Sequence, residues 1–560
     1  MIRSEVLERI RKTPEVSVLI IGAGINGIGT FRDLALNGVD TLIVDKGDFC
    51  SGASSASSHM AHGGIRYLEN GEFRLVHEAV QERNRMIENA PQHVRPLPTT
   101  IPIFKIWSGL LNAPLKFLNL LDKPSERGAI VIKVGLIIYD SFTRKQKTVP
   151  PHQFHNRAYS LGKYPQLDKD VKFTATYFDG QILSPERYSI DLIQDAVDEG
   201  GHAMALNYAS VEKSGEDGVV LHDEVTGEKI RVKPRVIVNA AGPWIDGVNE
   251  ELGLRERYIG GTKGSHLVLD IPELREAIGD HEFFFENKDG RIVLIFPFYD
   301  KVIVGTSDLP VTNVDDVVCT PEEEKYFIDL VARIFPNIKI NSKDIVFRFS
   351  GVRPLEYSKA KTTGQITRDH SIKHDQFGTI PVLSLVGGKW TSFRAFSSQV
   401  CDEVLQHLGK TRRAGTEELK VRGGLAYPQS QIEKDEWISN LAHETGLSNP
   451  YAASLFERYG TYASKIGRDV IEISAEPLQS LPDWTRGEVV SILRNESVIH
   501  LDDIFQRRSS IAWVGQLTLA ALKEVAEIAA AELGWQPEKK DAEITRTVNE
   551  MREKHGINLA

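Results

Sequence analysis

Near its start the chain carries two short, almost uninterrupted apolar runs, residues 16–21 and 41–44, on either side of a stretch with helical spacing. Runs of this length without polar alternation predict strands buried on both faces, as in a parallel sheet covered by helices. The first run passes into Gly22-Ala23-Gly24-Ile25-Asn26-Gly27 and the second ends on Asp45. Farther along, residues 184–200 have the spacing of a helix and 231–239 that of a strand entering Ala240-Ala241-Gly242-Pro243-Trp244. Residues 266–269, 291–297 and 302–305 are β-rich and predict an antiparallel sheet beside the first unit. Residues 384–386 lead into Gly387-Gly388-Lys389, a second strand-to-helix turn. From about 405 the pattern becomes helical. Asn449-Pro450 starts a helix that Gly460 stops, and 511–533 predicts a long helix ended by Gly534.

These patterns divide the 560 residues into an α/β unit, made of 1–100 with parts of 150–260 and 340–404, and an antiparallel unit near 260–340. An all-α unit occupies 405–560. Residues 101–150 differ in kind, being dominated by Ile, Leu, Phe and Trp107, with eight Lys/Arg against three Asp/Glu. In a chain whose net charge is −10, that local excess of +5 fits a segment lying in a membrane interface. A buried helical hairpin with snorkelling lysines fits the pattern equally well. The overall acidity argues against nucleic acid as a partner. Cys50, Cys319 and Cys401 are far apart, so neither a disulfide framework nor a zinc site is expected, and a reducing cytoplasmic setting fits. No metal site is expected.

The strand–glycine turn–helix–strand–acid order is that of a dinucleotide site. Gly22 allows the tight turn, Gly24 the approach of backbone to a pyrophosphate, and Gly27 close helix packing. The helix N-terminus offers unpaired N–H groups to phosphates, and Asp45 can accept from ribose hydroxyls. This layout alone does not separate NAD from FAD. The tract that follows, Ser51 to Ser58 and then His62-Gly63-Gly64-Ile65-Arg66-Tyr67, is too polar for a core and suited to wrapping a long polar ligand.

The turn, the run HGGIRYLE (62–69), NAAGPW (239–244), GSH (264–266), GTSD (305–308), SGVRPL (350–355), RDH (368–370) and GGKWTSFR (387–394) come in one order. In that order the chain resembles the FAD-dependent glycerol-3-phosphate dehydrogenases over about residues 16–400, and more loosely through the C-terminal helices. The resemblance implies a Rossmann-like FAD-binding domain of the glutathione-reductase/D-amino-acid-oxidase type, an antiparallel substrate domain and a helical C-terminal domain. It implies oxidation of sn-glycerol 3-phosphate to dihydroxyacetone phosphate, with electrons passed to a membrane quinone at the inner face of the cell membrane.

By motif match Arg66, Tyr67, Arg353, Arg368 and Lys389 bind substrate, the arginines as forked clamps on the phosphate. His266, Arg353 and Lys389 surround the reacting hydroxyl, and the sequence leaves the base between His266 and Lys389. Cofactor contacts fall on Gly22, Ala23, Gly24, Gly27, Asp45, Ser57, Ser58, Gly63, Gly64, Val211, Gly242, Gly388 and Thr391. His152, His155 and His202, outside these motifs, read as structural. His59 and Ala61 stand where relatives usually have a basic residue and a larger aliphatic one. Other readings are an oxidase that reduces oxygen to peroxide, an amino-acid oxidase-like enzyme, and a flavin-binding redox sensor or scaffold without catalysis. A homodimer is compatible with the sequence but not specified by it.

Overall fold

Two sheets organise the chain in a computed structural model that describes residues 3–65, 68, 72–108, 128–143, 148–215, 218–287, 291–357 and 369–559. The first runs in the order Ser371–Phe377, Ile380–Val386, Lys229–Asn239, Glu15–Ile21, Thr41–Val44, Ala203–Leu206. From Ile380–Val386 onward all four pairings are parallel, and both apolar runs of the N-terminal unit lie side by side in its middle. Burial on both faces explains their lack of alternation. Helix Ile25–Leu36 covers one face with Phe393–Leu408 and Pro185–Asp198 packed beside it, around Ile28, Phe31, Phe393 and Phe396.

The second sheet is mostly antiparallel and larger than the β-rich runs between 260 and 310 implied. Val94–Ile103 lies between Glu282–Glu286 and Phe173–Ile182, and Met60–Ala61 pairs with Gly180 and Gln181. By sequence Met60–Ala61 and residues 94–100 fall in the nucleotide-binding unit and 101–103 in the apolar segment that follows it. Val94–Ile103 holds three prolines, so its role in a ladder could not be read from local pattern. Strands Ile259–Leu269 and Ile345–Glu356 pair along nearly their whole length.

The C-terminal helices are not a separate body. Trp513, Leu522 and Val525 share one apolar cluster with Phe298, Phe347 and Phe349 of the second sheet. The helix expected over 511–533 starts only at Leu519, where Thr518 Oγ1 accepts from Ala521 N at 3.1 Å. Residues 511–515 turn instead, placing Trp513 against Phe349 with ring centroids 4.9 Å apart. The helix beginning at Asn449 is capped one residue earlier than the sequence suggested, by the side chain of Ser448.

Charge joins the C-terminal region to the first sheet. Asp48, three residues past Asp45, is fully buried. Its carboxylate accepts from Arg507 Nε (2.6 Å), Arg508 Nη1 (2.5 Å) and Nη2 (2.9 Å), and Asn207 Nδ2 (2.9 Å). Burial acts to raise its pKa, but Arg508 and Arg507 hold it well below the usual carboxylate range. Arg507 also donates to Asp502 and Asp503, at 2.7 and 2.6 Å. The run 501–508 belongs to the looser C-terminal resemblance, but nothing in the sequence paired it with Asp48, about 460 residues away.

Replacing Asp48 with Asn should leave Arg508 a buried cation without its carboxylate. The expected cost is about 3–5 kcal/mol, from the penalty for breaking a buried pair on one side, read as a lower urea midpoint with an unchanged slope.

Candidate active site

The glycine turn sits at the C-terminal ends of the parallel strands, where such sheets bind ligands. Gly22 has φ +104°, and a Cβ there would stand 2.6 Å from Ala240 O, so only glycine fits. Helix Ile25–Leu36 has no acidic residue in its first turn, which leaves its positive end uncompensated by charge. Ser54, not singled out by sequence, accepts from Ile25 N at 2.9 Å.

Asp45 accepts from Ala23 N (2.7 Å) and Gly47 N (2.9 Å), one on each carboxylate oxygen. Its carboxyl is thus fixed beside the turn by main chain, with a second lone pair on each oxygen for a ligand. Burial pushes its pKa up to about 6 against those two hydrogen bonds. Ala209 N donates to Asp45 O at 2.7 Å, bringing the strand that carries half-buried Val211 alongside the acid.

The second strand-to-helix turn closes on the first. Asn26 Nδ2 donates to Gly387 O at 3.2 Å, while Asn26 Oδ1 is buried with no hydrogen-bond partner. Gly388 (φ +93°) lies directly over Asn26. Trp390 Nε1 donates to Ser54 O at 2.9 Å. Thr391 Oγ1 accepts from His62 N (3.0 Å) and donates to His62 O (3.2 Å), so it pins the loop holding Gly63 and Gly64. Gly27 closes against Gly22 O, and Gly242 (φ +58°) opens a 3₁₀ turn after Lys229–Asn239. Bare backbone at the helix N-terminus, a fixed acid and an orphaned buried acceptor on Asn26 together fit the nucleotide half of FAD.

Segment 51–58 then crosses to the second sheet. Ser57 Oγ accepts from His59 N at 3.3 Å, whereas Ser58 Oγ, expected on the cofactor, bonds His266 Nε2 at 2.8 Å. His266 stacks on Phe349, with centroids 4.6 Å apart and planes 5° apart. A Cβ on Gly305, its cross-strand neighbour, would lie 2.1 Å from the His266 ring. Burial, then Arg353 and His59, depress the His266 pKa far below its usual value, so the ring is neutral near pH 7.

Arg353 lies on the same sheet, its guanidinium over Gly264, where a Cβ would stand 2.2 Å from Nη2. It donates to Thr306 Oγ1 (2.8 Å), Ser307 O (3.2 Å) and Asp308 Oδ1 (3.2 Å). The glycines of GSH and GTSD therefore make room for His266 and Arg353, two of the candidate side chains singled out by sequence. Lys389 starts the turn at Trp390–Ser392, across from segment 51–64. Arg66, Tyr67 and Arg368 lie outside the described residues. Among the described residues no cluster of His, Cys, Asp or Glu could hold a metal ion.

His59 belongs to the core instead. Its ring meets Phe298 and Trp513, each at 5.3 Å between centroids, and burial lowers its pKa to about 3.

The model of the FAD dependent oxidoreductase family matches residues 17–394, and that of the C-terminal domain of alpha-glycerophosphate oxidase matches 414–540. A glycerol-3-phosphate dehydrogenase of Synechocystis sp. is 34% identical, over 96% of this chain and 97% of its own length. The aerobic glycerol-3-phosphate dehydrogenase of Staphylococcus aureus (strain USA300) is 26% identical, over 99% and 98%. Among solved structures, the glycerol-3-phosphate dehydrogenase from Bacillus halodurans complexed with FAD superposes with a TM-score of 0.77 at 23% identity, covering 99% of this chain and 97% of that one.

A neutral buried imidazole stabilises the fold above its unfolded pKa, near 6.5, and loses that contribution as pH falls toward the folded value of about 3. Urea unfolding at pH 7 and pH 5 should therefore show His59→Phe gaining about 2 kcal/mol over the parent at the lower pH. An equal difference at both pH values would show that His59 does not titrate on unfolding.

Proposed function

Because the chain belongs to the FAD-dependent oxidoreductase family, among its glycerol-3-phosphate dehydrogenases, we propose that the cleft between the two sheets oxidises sn-glycerol 3-phosphate using the residues placed there. The observation that carries this reading is the Ser58–His266 hydrogen bond of 2.8 Å. Through it, the segment running from the nucleotide turn touches the sheet that bears Arg353.

Bound FAD supplies the hydride acceptor. The chain must then hold a dianionic phosphate, orient the secondary alcohol and take its proton. Arg353 is suited to the first task, since its fork is aimed by Asp308 and Thr306 and does not depend on the ligand for orientation. His266 is held neutral at pH 7, so its ring can accept a hydrogen bond that orients the alcohol, with Ser58 fixing its plane. Its depressed pKa makes it a weak base. Lys389, at the start of the turn Trp390–Ser392, is the second candidate base by motif. By motif, Arg66 and Arg368 complete the cation set and Tyr67 faces the substrate beside them. Two or more cations suit a phosphate better than the single carboxylate of an amino-acid substrate.

A membrane quinone is the proposed electron acceptor, reached from the membrane surface. In support, helix Ala129–Thr143 buries Ile132, Leu136 and Tyr139 yet leaves Val134 and Ile137 about half exposed, at 51% and 53%. Trp107 nearby is 72% exposed. An apolar outer face beside excess lysines suits an interfacial surface. Most of the apolar stretch, 109–127, lies outside the described residues, and no helix among those described is long and apolar enough to cross a membrane.

Anaerobic mixing with sn-glycerol 3-phosphate should bleach the oxidised flavin band, and an unbleached flavin at saturating substrate would reject the reading. Arg353→Ala should raise KM by about 10- to 150-fold, equivalent to about 1.5–3 kcal/mol for a hydrogen bond to a charged group. Changing Val134 and Ile137 together to Glu should move the protein from the vesicle pellet to the supernatant. Reduced enzyme should pass electrons to a short-chain quinone faster than it forms peroxide; the opposite ranking would make it an oxidase.

A further inference from the structure

The loop that holds Gly63 and Gly64 is fixed from two sides. Thr391 binds its His62 main chain from the side of the first sheet. On the other side Gly63 N donates to Asp179 Oδ1 at 2.9 Å. Asp179 is a buried carboxylate on strand Phe173–Ile182, one residue before Gly180, which pairs with Ala61. The same oxygen accepts from Tyr139 OH (2.8 Å) and lies 3.3 Å from Arg83 Nη1. Arg83, with no exposed surface, also donates to Tyr139 OH (3.0 Å) and to Phe178 O (2.7 Å).

Packing reinforces this arrangement. A Cβ on Gly63 would stand 2.0 Å from Tyr139 Oη and 2.7 Å from Val80 Cγ2. The loop main chain therefore rests directly on the phenol, and no side chain at 63 can come between them. A buried charge pair and a buried phenol thus converge on one amide of the cofactor loop. Buried polar groups that are fully matched specify one geometry and cost free energy when any member is removed.

We propose that Asp179, held by Arg83 and Tyr139, is a positioning residue for the reaction, setting the height of the Gly63–Gly64 loop against the isoalloxazine ring. This rests on the reading of the cleft as a flavin site. Its consequence is that the loop's position depends on helix Ala129–Thr143, because Tyr139 sits on that helix and its hydroxyl is part of the support. Arg353, on the second sheet, is not held by this cluster, so the larger part of the effect falls on the rate rather than on substrate affinity. A shift of a few tenths of an ångström in the loop changes the alignment for hydride transfer, to which the rate is steeply sensitive.

The test uses FAD-loaded Tyr139→Phe, Asp179→Asn and the double variant, each corrected for flavin content. Two quantities are read: the visible circular dichroism of the bound flavin before any substrate is added, and the anaerobic rate of flavin reduction by sn-glycerol 3-phosphate. Tyr139→Phe should alter the dichroism and slow the saturating rate about tenfold, with KM within about twofold. The double variant should be no slower than Asp179→Asn, since both act through one amide. Unchanged dichroism with a parental rate in Tyr139→Phe would overturn the proposal, as would a loss confined to KM. If Asp179→Asn does not fold, Tyr139→Phe decides alone. If the parent holoenzyme is not reduced by the substrate, the functional reading has failed, and the dichroism still decides whether the cluster shapes the flavin's surroundings.

Discussion

A carboxylate buried without surface must be matched by cations that are equally buried, and at Asp48 that requirement is met from the far end of the chain. Three arginine nitrogens and one amide surround it. The segment that begins at Asp45 and crosses to the second sheet is thus held by charge at its start, by the Ser58–His266 bond in the middle and by Thr391 and Asp179 at its end. The two sheets share an apolar core that takes in Ala61, Val94 and Ile182 together with Val18 and Ile20. This short polar stretch, which cannot build a core of its own, adds directional bonds to that contact.

The helical region contributes more than bulk. It supplies Arg507 and Arg508 to the first sheet's loop and Trp513 to the second sheet's core. An apolar contact alone would tolerate sliding. The paired charges do not, because any displacement leaves ions buried without partners. Specificity of docking therefore comes from the ionic part and most of the cohesion from the apolar part.

The nucleotide turn was legible because its information is local: two buried strands, three glycines and an acid fall within 30 residues. The pairing of GSH with SGVRPL was legible as motif but not as geometry. Only the register of Ile259–Leu269 with Ile345–Glu356 shows that Gly264 lies under Arg353. Val94–Ile103 was misplaced because its prolines hide a ladder partner some 80 residues away. Asp48, Asp179 and Asn26 carried no signal at all. Single polar residues look alike in sequence, whether solvated or buried against a distant partner. Ser58 shows a subtler limit: its place in the site was anticipated, but its partner is a histidine of the other sheet.

The distance along the chain between Asp48 and Arg508 also sets an order of events during synthesis. The residues of the nucleotide turn leave the ribosome early, whereas the cations that neutralise Asp48 are 459 and 460 residues behind. At ordinary elongation rates that gap is about 20–90 s. Throughout it the carboxylate stays hydrated, since burying it alone is unfavourable, and the start of the crossing segment lacks its ionic hold. The Rossmann-like half can collapse while translation continues, but the cofactor's cradle takes its final shape only once nearly the whole polypeptide exists. Capture of the prosthetic group is thereby placed late in biogenesis, after the C-terminal helices have docked.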